Sequence, residues 1–163
     1  MIIQFKIFEK LDKDRQKMLD DELYHSSKVK SSLQRMRQLI KDGANVNAIQ
    51  PNGYTPLLRA AYFMFTSGAK LLIKNGANIN AQNHDGYTSL MLAAVNTYDF
   101  ITKKRVKEII DILIENNADL NIQNISGKDA FDVNQHLQDY ISNKFPEKYQ
   151  EYIERKEASK YNL

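Results

Sequence analysis

Residue types able to do chemistry are few here, and their spacing does not gather them. The 163-residue chain has no cysteine, which removes disulfide frameworks, thiolate nucleophiles and every Cys-based zinc site. Its three histidines, His25, His84 and His136, are far apart, with no pair at helical i, i+4 spacing. A metal site would need them to converge from distant segments, so they read as solvent-exposed and non-ligating. No segment combines Ser, His and an acid in the way acyl transfer requires, and no Gly-rich loop could cradle a phosphate. No cofactor, no metal site and no catalytic residue is expected, and the chain does not read as an enzyme.

Charge offers one alternative function. The formal net charge is +3, too small for a strong single-sign field. Lys28, Lys30, Arg35, Arg37 and Lys41 form a basic series near the start, and Lys103, Lys104 and Arg105 form a second cluster. Such runs usually lie on a solvated helix face, but the first series could bind nucleic acid or another acidic surface electrostatically. Nucleic acid is nonetheless disfavoured as a partner. The opening residues lack the pattern of a cleaved leader, and no run of 18 apolar residues occurs, so a soluble, cytoplasmic monomer without a membrane partner is expected.

The elements that position these residues are repeated. Gly43-Ala44-Asn45-Val46-Asn47 returns 33 residues later as Gly76-Ala77-Asn78-Ile79-Asn80. Asn52-Gly53-Tyr54-Thr55-Pro56-Leu57 returns after the same interval as Asp85-Gly86-Tyr87-Thr88-Ser89-Leu90. The third copies, Asn117-Ala118-Asp119-Leu120-Asn121 and Ser126-Gly127-Lys128, follow after 41 residues, so one unit carries an eight-residue insertion. A fixed period of this size signals stacked supersecondary units. Gly43, Gly76 and Asn117 stand just past the last apolar residues of helical stretches, where a left-handed stop is wanted. Thr55, Thr88 and Asp129 are N-cap types, and Pro56 suits the first helical position. Between stop and start lie Ala48 to Asn52, Ala81 to Asp85 and Ile122 to Ser126, turn-rich stretches that read as projecting β-hairpin fingers.

Gly-Tyr-Thr-Pro-Leu-Leu-Arg-Ala-Ala at 53–61, Leu-Leu-Ile-Lys-Asn-Gly-Ala-Asn-Ile-Asn-Ala at 71–81 and Gly-Tyr-Thr-Ser-Leu-Met-Leu-Ala-Ala at 86–94 resemble ankyrin repeats. The resemblance covers about residues 20–135. It implies an all-α solenoid with β-hairpin fingers, about four units including both caps, in one domain. The boundaries expected are an N-terminal extension at 1–19, an N-cap repeat at 20–52, repeats at 53–85 and 86–126, and a C-terminal capping repeat at 127–163. Phe5, Phe8 and Leu11 suit a short helix in the extension, although the alternation of Gln4, Phe5, Lys6 and Ile7 leaves a strand open. In the cap, helices are expected near Asp21 to Lys28 and Ser32 to Lys41, with Tyr24, His25, Ser26 and Ser27 forming a solvated side.

Departures from the family pattern are specific. Leu58, Met91 and Asp132 stand where the family usually has a bridging histidine. Thr66, Ser67, Gly68 and Ala69 thin the start of one helix, and the bulky insertion at about 97–104, with Tyr98, Phe100 and Ile101, is the candidate filler. Val133, Leu137, Tyr140, Ile141 and Phe145 continue one apolar stripe, so the last two units are expected to have lengthened helices, with a final helix from Pro146. The same insertion could instead be an exposed binding protrusion.

In proteins of this resemblance, targets usually lie in a concave groove of finger tips and inner helices. Carried over by position, the partner-binding candidates are Pro51, Asn52, Tyr54, Tyr62 and Phe63; then His84, Asp85, Tyr87, Val95 and Asn96; then Ile125, Ser126 and Lys128. Tyrosine gives contact area at low entropic cost, which favours Tyr54 and Tyr87 as anchors over Tyr62 and Phe63. The expected function is a non-catalytic module that binds a partner protein, used as an inhibitor or a host-directed effector.

Overall fold

In the computed structural model, which describes residues 2–95 and 103–161, helices start and stop where side-chain chemistry favours it. Thr55 is extended and its hydroxyl oxygen accepts the Leu58 N–H at 3.3 Å, with Pro56 opening the helix. Thr88 accepts the Met91 N–H at the same 3.3 Å. Asp129 accepts from the Phe131 and Asp132 amides while the Asp132 carboxylate accepts from the Asp129 N–H, a reciprocal capping box. Gly43, Gly76 and Asn117 close the preceding helices at φ of 99°, 84° and 64°, the left-handed stop that these residue types tolerate.

The helices so bounded are α1 (Ile2–Ser26), α2 (Leu33–Lys41), α3 (Pro56–Tyr62), α4 (Thr66–Lys74), α5 (Ser89–Val95), α6 (Lys103–Glu115), α7 (Ala130–Val133), α8 (Gln135–Lys144) and α9 (Pro146–Tyr161). Successive helices pack in pairs, α1 on α2, α3 on α4, α5 on α6 and α8 on α9. Helices α1, α3, α5 and α7 form one row, and α2, α4 and α6 a second. Leu23, Met36, Leu39, Leu57, Phe65, Leu72, Leu90, Ile109 and Leu113 are buried in one continuous core. Each helix thus buries its apolar face against its neighbours in chain order, as a helical solenoid requires.

Polar rungs fix the spacing between units. The Asp20 carboxylate accepts the Asn45 N–H at 2.6 Å, the Asn47 side chain accepts the Asn78 N–H at 2.7 Å, and Asn80 accepts the Asp119 N–H at 2.9 Å. Asn45, Asn78 and Asp119 in turn accept from the amides two residues on, forming Asx turns. The two Asn positions of each Gly-Ala-Asn-x-Asn motif therefore divide the work. One folds its own loop, and the other holds the next.

Among the described residues there is no strand, so the fingers are tight turns without the expected β ladders. In the first, Gln50 donates to the Tyr54 carbonyl and Gly53 to the Gln50 carbonyl. Asn83, Tyr87 and Gly86 repeat this pair of bonds, as do Asn124, Lys128 and Gly127. The reason is length: Asx turns occupy the residues before each finger and a helix cap the residue after, leaving room for one bonded pair. Fingers then stack on each other. Gly53 and Gly86 have φ of 78° and 77°, and an added Cβ would come within 2.5 Å of the His84 nitrogen and 2.7 Å of the Asn124 Cα.

Three expectations need correction. The extension and the first cap helix are one continuous helix, α1, because no glycine, proline or turn signal interrupts residues 2–26; its end buries Tyr24 and Ser27 instead of leaving a solvated side. The last stripe is not one long helix: Asn134, at φ −150° and ψ 107°, separates α7 from α8, caps the His136 amide and donates to the Ala94 carbonyl at 2.8 Å. The room above Gly68 is filled from within its own unit by Phe65, whose ring would lie 2.4 Å from an added Cβ. Tyr98, Phe100 and Ile101 lie outside the described residues. Helix α6, at 13 residues, is longer than α2 and α4, at 9 each.

Candidate functional site

The last turn of α1, the first finger and the end of α3 bring one aromatic and polar cluster together. Tyr24 is buried at the end of α1, with the His25 ring edge-on at 5.4 Å. The Arg59 guanidinium lies over the Tyr24 ring at 4.1 Å from its centroid and 5.7 Å from that of Phe63. Tyr62 and Phe63 meet edge-to-face at 5.1 Å, within the range aromatic pairs prefer. The Asn52 amide reaches the Tyr24 hydroxyl at 3.5 Å. Positive charge on an aromatic face is stabilised by the ring quadrupole, so Arg59 is held in place by rings.

The aromatics differ in exposure from the order in which they were expected to bind. Tyr62 and Phe63 are 41% and 46% exposed, whereas Tyr54 and Tyr87 are half-buried between fingers. Burial pushes the Tyr54 phenol up, and nearby Tyr62, Asp85 and Tyr24 add to the shift while a hydrogen bond with Asn83 opposes it. Tyr54 thus belongs to the cluster, with its ring partly committed to the fold. Pro51, Asn52, His84 and Asp85 are exposed along the finger tips. Ile125 is 76% exposed, and its amide donates to the Asp85 carbonyl at 3.2 Å. Ser126 and Lys128 are exposed on the third finger, away from the Tyr24 cluster, and Val95 is half-buried at the end of α5. Asn96 lies outside the described residues.

Arg59, Tyr24 and His25 were not among the sequence candidates. Arg59 had a readable signal: the matching position one period later is Leu92, so a charge replaces an apolar residue on the inner row. The Arg59 Nε is buried without a hydrogen-bond partner, and an unmet buried donor costs on the order of 1–3 kcal/mol.

Elsewhere, polar clusters serve packing. Tyr152 and Lys156 of α9 both donate to the Asp129 carboxylate, at 2.9 and 2.8 Å, and Lys156 also donates to the Tyr152 hydroxyl. Burial raises the Asp129 carboxyl, but bonds from Lys156, the Asp132 amide and Tyr152 outweigh it and hold the group below the usual carboxylate range. Tyr140 donates to Asp111 at 2.6 Å, and Lys144 pairs with Asp111 at 2.5 Å, tying α8 to α6. Of the basic residues on the cap, Arg35 makes two 2.6 Å bonds with Glu22. The histidines are exposed, and among the described residues no group of three His, Cys, Asp or Glu could hold a metal ion. No helix among the described residues is long and apolar enough to cross a membrane.

Paired helices in two rows, joined by glycine-bearing fingers, define a helical repeat scaffold. The family model for ankyrin repeats matches residues 23–124 in three copies, and the chain belongs to the ankyrin-repeat family. Ankyrin repeats are generally protein–protein interaction modules and non-catalytic scaffolds. No curated protein matches the chain.

Proposed function

We propose that the chain captures a partner protein in the groove between its fingers and the α1–α3–α5 row, with Tyr62 and Phe63 as the anchors. One observation carries this: two adjacent aromatic rings stay exposed beside an arginine, on the face where the first finger meets the inner helices. Large aromatic surface beside arginine, within a rim of Asn, Asp and His, is the composition of an interaction hot spot. Tyr54 and Asn52 contribute from the finger side. The stacked units form a scaffold that needs little rearrangement, which lowers the entropic cost of binding.

The test is affinity capture from the source organism's lysate with wild type, a Tyr62→Ala, Phe63→Ala variant and a Tyr54→Ala, Tyr87→Ala variant. The expected outcome is a protein retained by wild type and lost with the Tyr62, Phe63 variant while the far-UV circular dichroism stays unchanged. Retention by both variants, with release by moderate salt, would instead favour the basic cap of Lys28, Lys30 and Arg37, because electrostatic contacts weaken steeply with salt.

A further inference from the structure

Arg59 is half-buried. Its Nε is covered and unpartnered, and among the described residues no side chain or carbonyl accepts a hydrogen bond from its terminal Nη groups. Among the described residues no carboxylate lies within ion-pair distance of it, and its matching position is Leu92. The Tyr24 ring at 4.1 Å and the Phe63 ring at 5.7 Å restrict where the cation can go. A positioned, partly dehydrated guanidinium favours a carboxylate, because a charge-assisted bond gains strength away from bulk water and loses little rotamer freedom.

We propose that Arg59 receives a single carboxylate, the side chain of an Asp or Glu in the partner protein, through its terminal nitrogens. The inference rests on the groove reading given above and adds the chemistry of the partner: an acidic residue followed or preceded by an apolar one that covers Tyr62 and Phe63. Charge on the neighbouring finger selects against a polyanion. Asp85, exposed on that finger, adds to the raised value of the Tyr54 phenol, and its charge repels several phosphates more strongly than one carboxylate.

The probe is a displayed library of random linear peptides selected on wild-type protein, followed by synthesis of the enriched peptides and of versions with each acid replaced by its amide. Enriched peptides should share an Asp or Glu beside an apolar residue, and the amide version should bind about tenfold more weakly. On Arg59→Gln the acid and amide versions should bind alike; on Arg59→Lys, which keeps the charge, part of the preference should return. Circular dichroism and melting of both variants separate lost recognition from lost fold, and if Arg59→Gln does not fold, the acid-to-amide comparison on wild type and Arg59→Lys decides. Binding that needs Tyr62 and Phe63 yet ignores the acid-to-amide change would overturn the carboxylate site and leave the groove standing. Peptides that bind equally well to the Tyr62→Ala, Phe63→Ala variant, or a selection with no enrichment, would overturn the groove and this site with it. Enrichment of basic or uncharged peptides would also overturn it.

Discussion

Gly76 and Gly86 separate two reasons for a glycine within one repeat. Both have a left-handed backbone, at φ of 84° and 77°, but nothing lies within 4 Å of a Cβ on Gly76, while one on Gly86 would meet the Asn124 Cα at 2.7 Å and the Ile125 nitrogen at 2.8 Å. Gly76→Ala should therefore cost only the backbone term, about 1–2 kcal/mol. Gly86→Ala should cost about 1–3 kcal/mol more, because backbone of the next finger has to move. Urea unfolding of the two variants measures the difference; equal losses would mean that finger stacking does not constrain the fold. The sequence showed both glycines at the same period but could not show what lay against them. Asn83 and Asn124 were hidden for a similar reason. Each is 6% exposed and accepts two amides of its own finger, yet asparagine in a turn-rich stretch reads simply as a turn former. Tyr62 and Phe63 stand in the sequence as candidates ranked below Tyr54 and Tyr87, because aromatics at helical spacing usually pack. Only the placement of Phe65, which takes the interior position, leaves them outside.

Helix α9 is the element whose attachment depends most on ionisation. Its Tyr152 packs edge-on to Phe131 at 4.5 Å, and both Tyr152 and Lys156 bind the Asp129 carboxylate. Against burial, the bonds from Lys156, the Asp132 amide and Tyr152 hold the folded Asp129 carboxyl below the usual carboxylate range, so the unfolded chain takes up a proton first as pH falls. The stabilisation is thus fully present above about pH 4 and disappears as pH drops through the lower folded value. Asn caps a helix about as well as Asp, so Asp129→Asn keeps the cap through one oxygen while it removes the charge and the second oxygen that accepts from Tyr152 and Lys156. Wild type should melt higher than the variant at neutral pH, with the gap narrowing below about pH 4; a gap that does not change with pH would assign the effect to the hydrogen bonds alone. Lys156 has a raised value, with its bonds to Asp129 and Tyr152 the leading causes, so its share persists through neutral pH and is lost only as pH rises through that folded value. The start of α9 at Pro146 was legible, because a proline opens a helix well. The break at Asn134 was not. Only a bond to the Ala94 carbonyl, on a different helix, shows why the apolar stripe has to turn there.

At the scale of the whole molecule, the two ends of the array differ in how much of them is structural. From Lys6 to Met18 every side chain of α1 described is exposed, including Leu11 at 61% and Met18 at 72%. The side-chain bonds that tie α1 to the array begin with Gln16 on the Gly43 carbonyl and Asp20 on the Asn45 amide. The other end buries Tyr152 and adds an Arg155 to Asp119 ion pair at 3.7 Å, so α9 covers the last unit much as each inner unit covers its neighbour. In a solenoid, stability is close to a sum of unit and interface terms, and an uncovered interface exposes apolar surface. Removing residues 1–15 should therefore leave the melting temperature within a few degrees of the full chain. Truncation after Phe145 should uncover Phe131 and Ala130, lower the melting temperature by about 10 °C or more, and promote aggregation, since losing one buried aromatic contact alone costs about 3–5 kcal/mol. Thermal melts and light scattering on both truncated chains check this. A C-terminal truncation that stays monomeric with unchanged melting would show that the array closes at Asp129 without α9, whereas a large loss on removing residues 1–15 would make the first turns of α1 a working part of the cap.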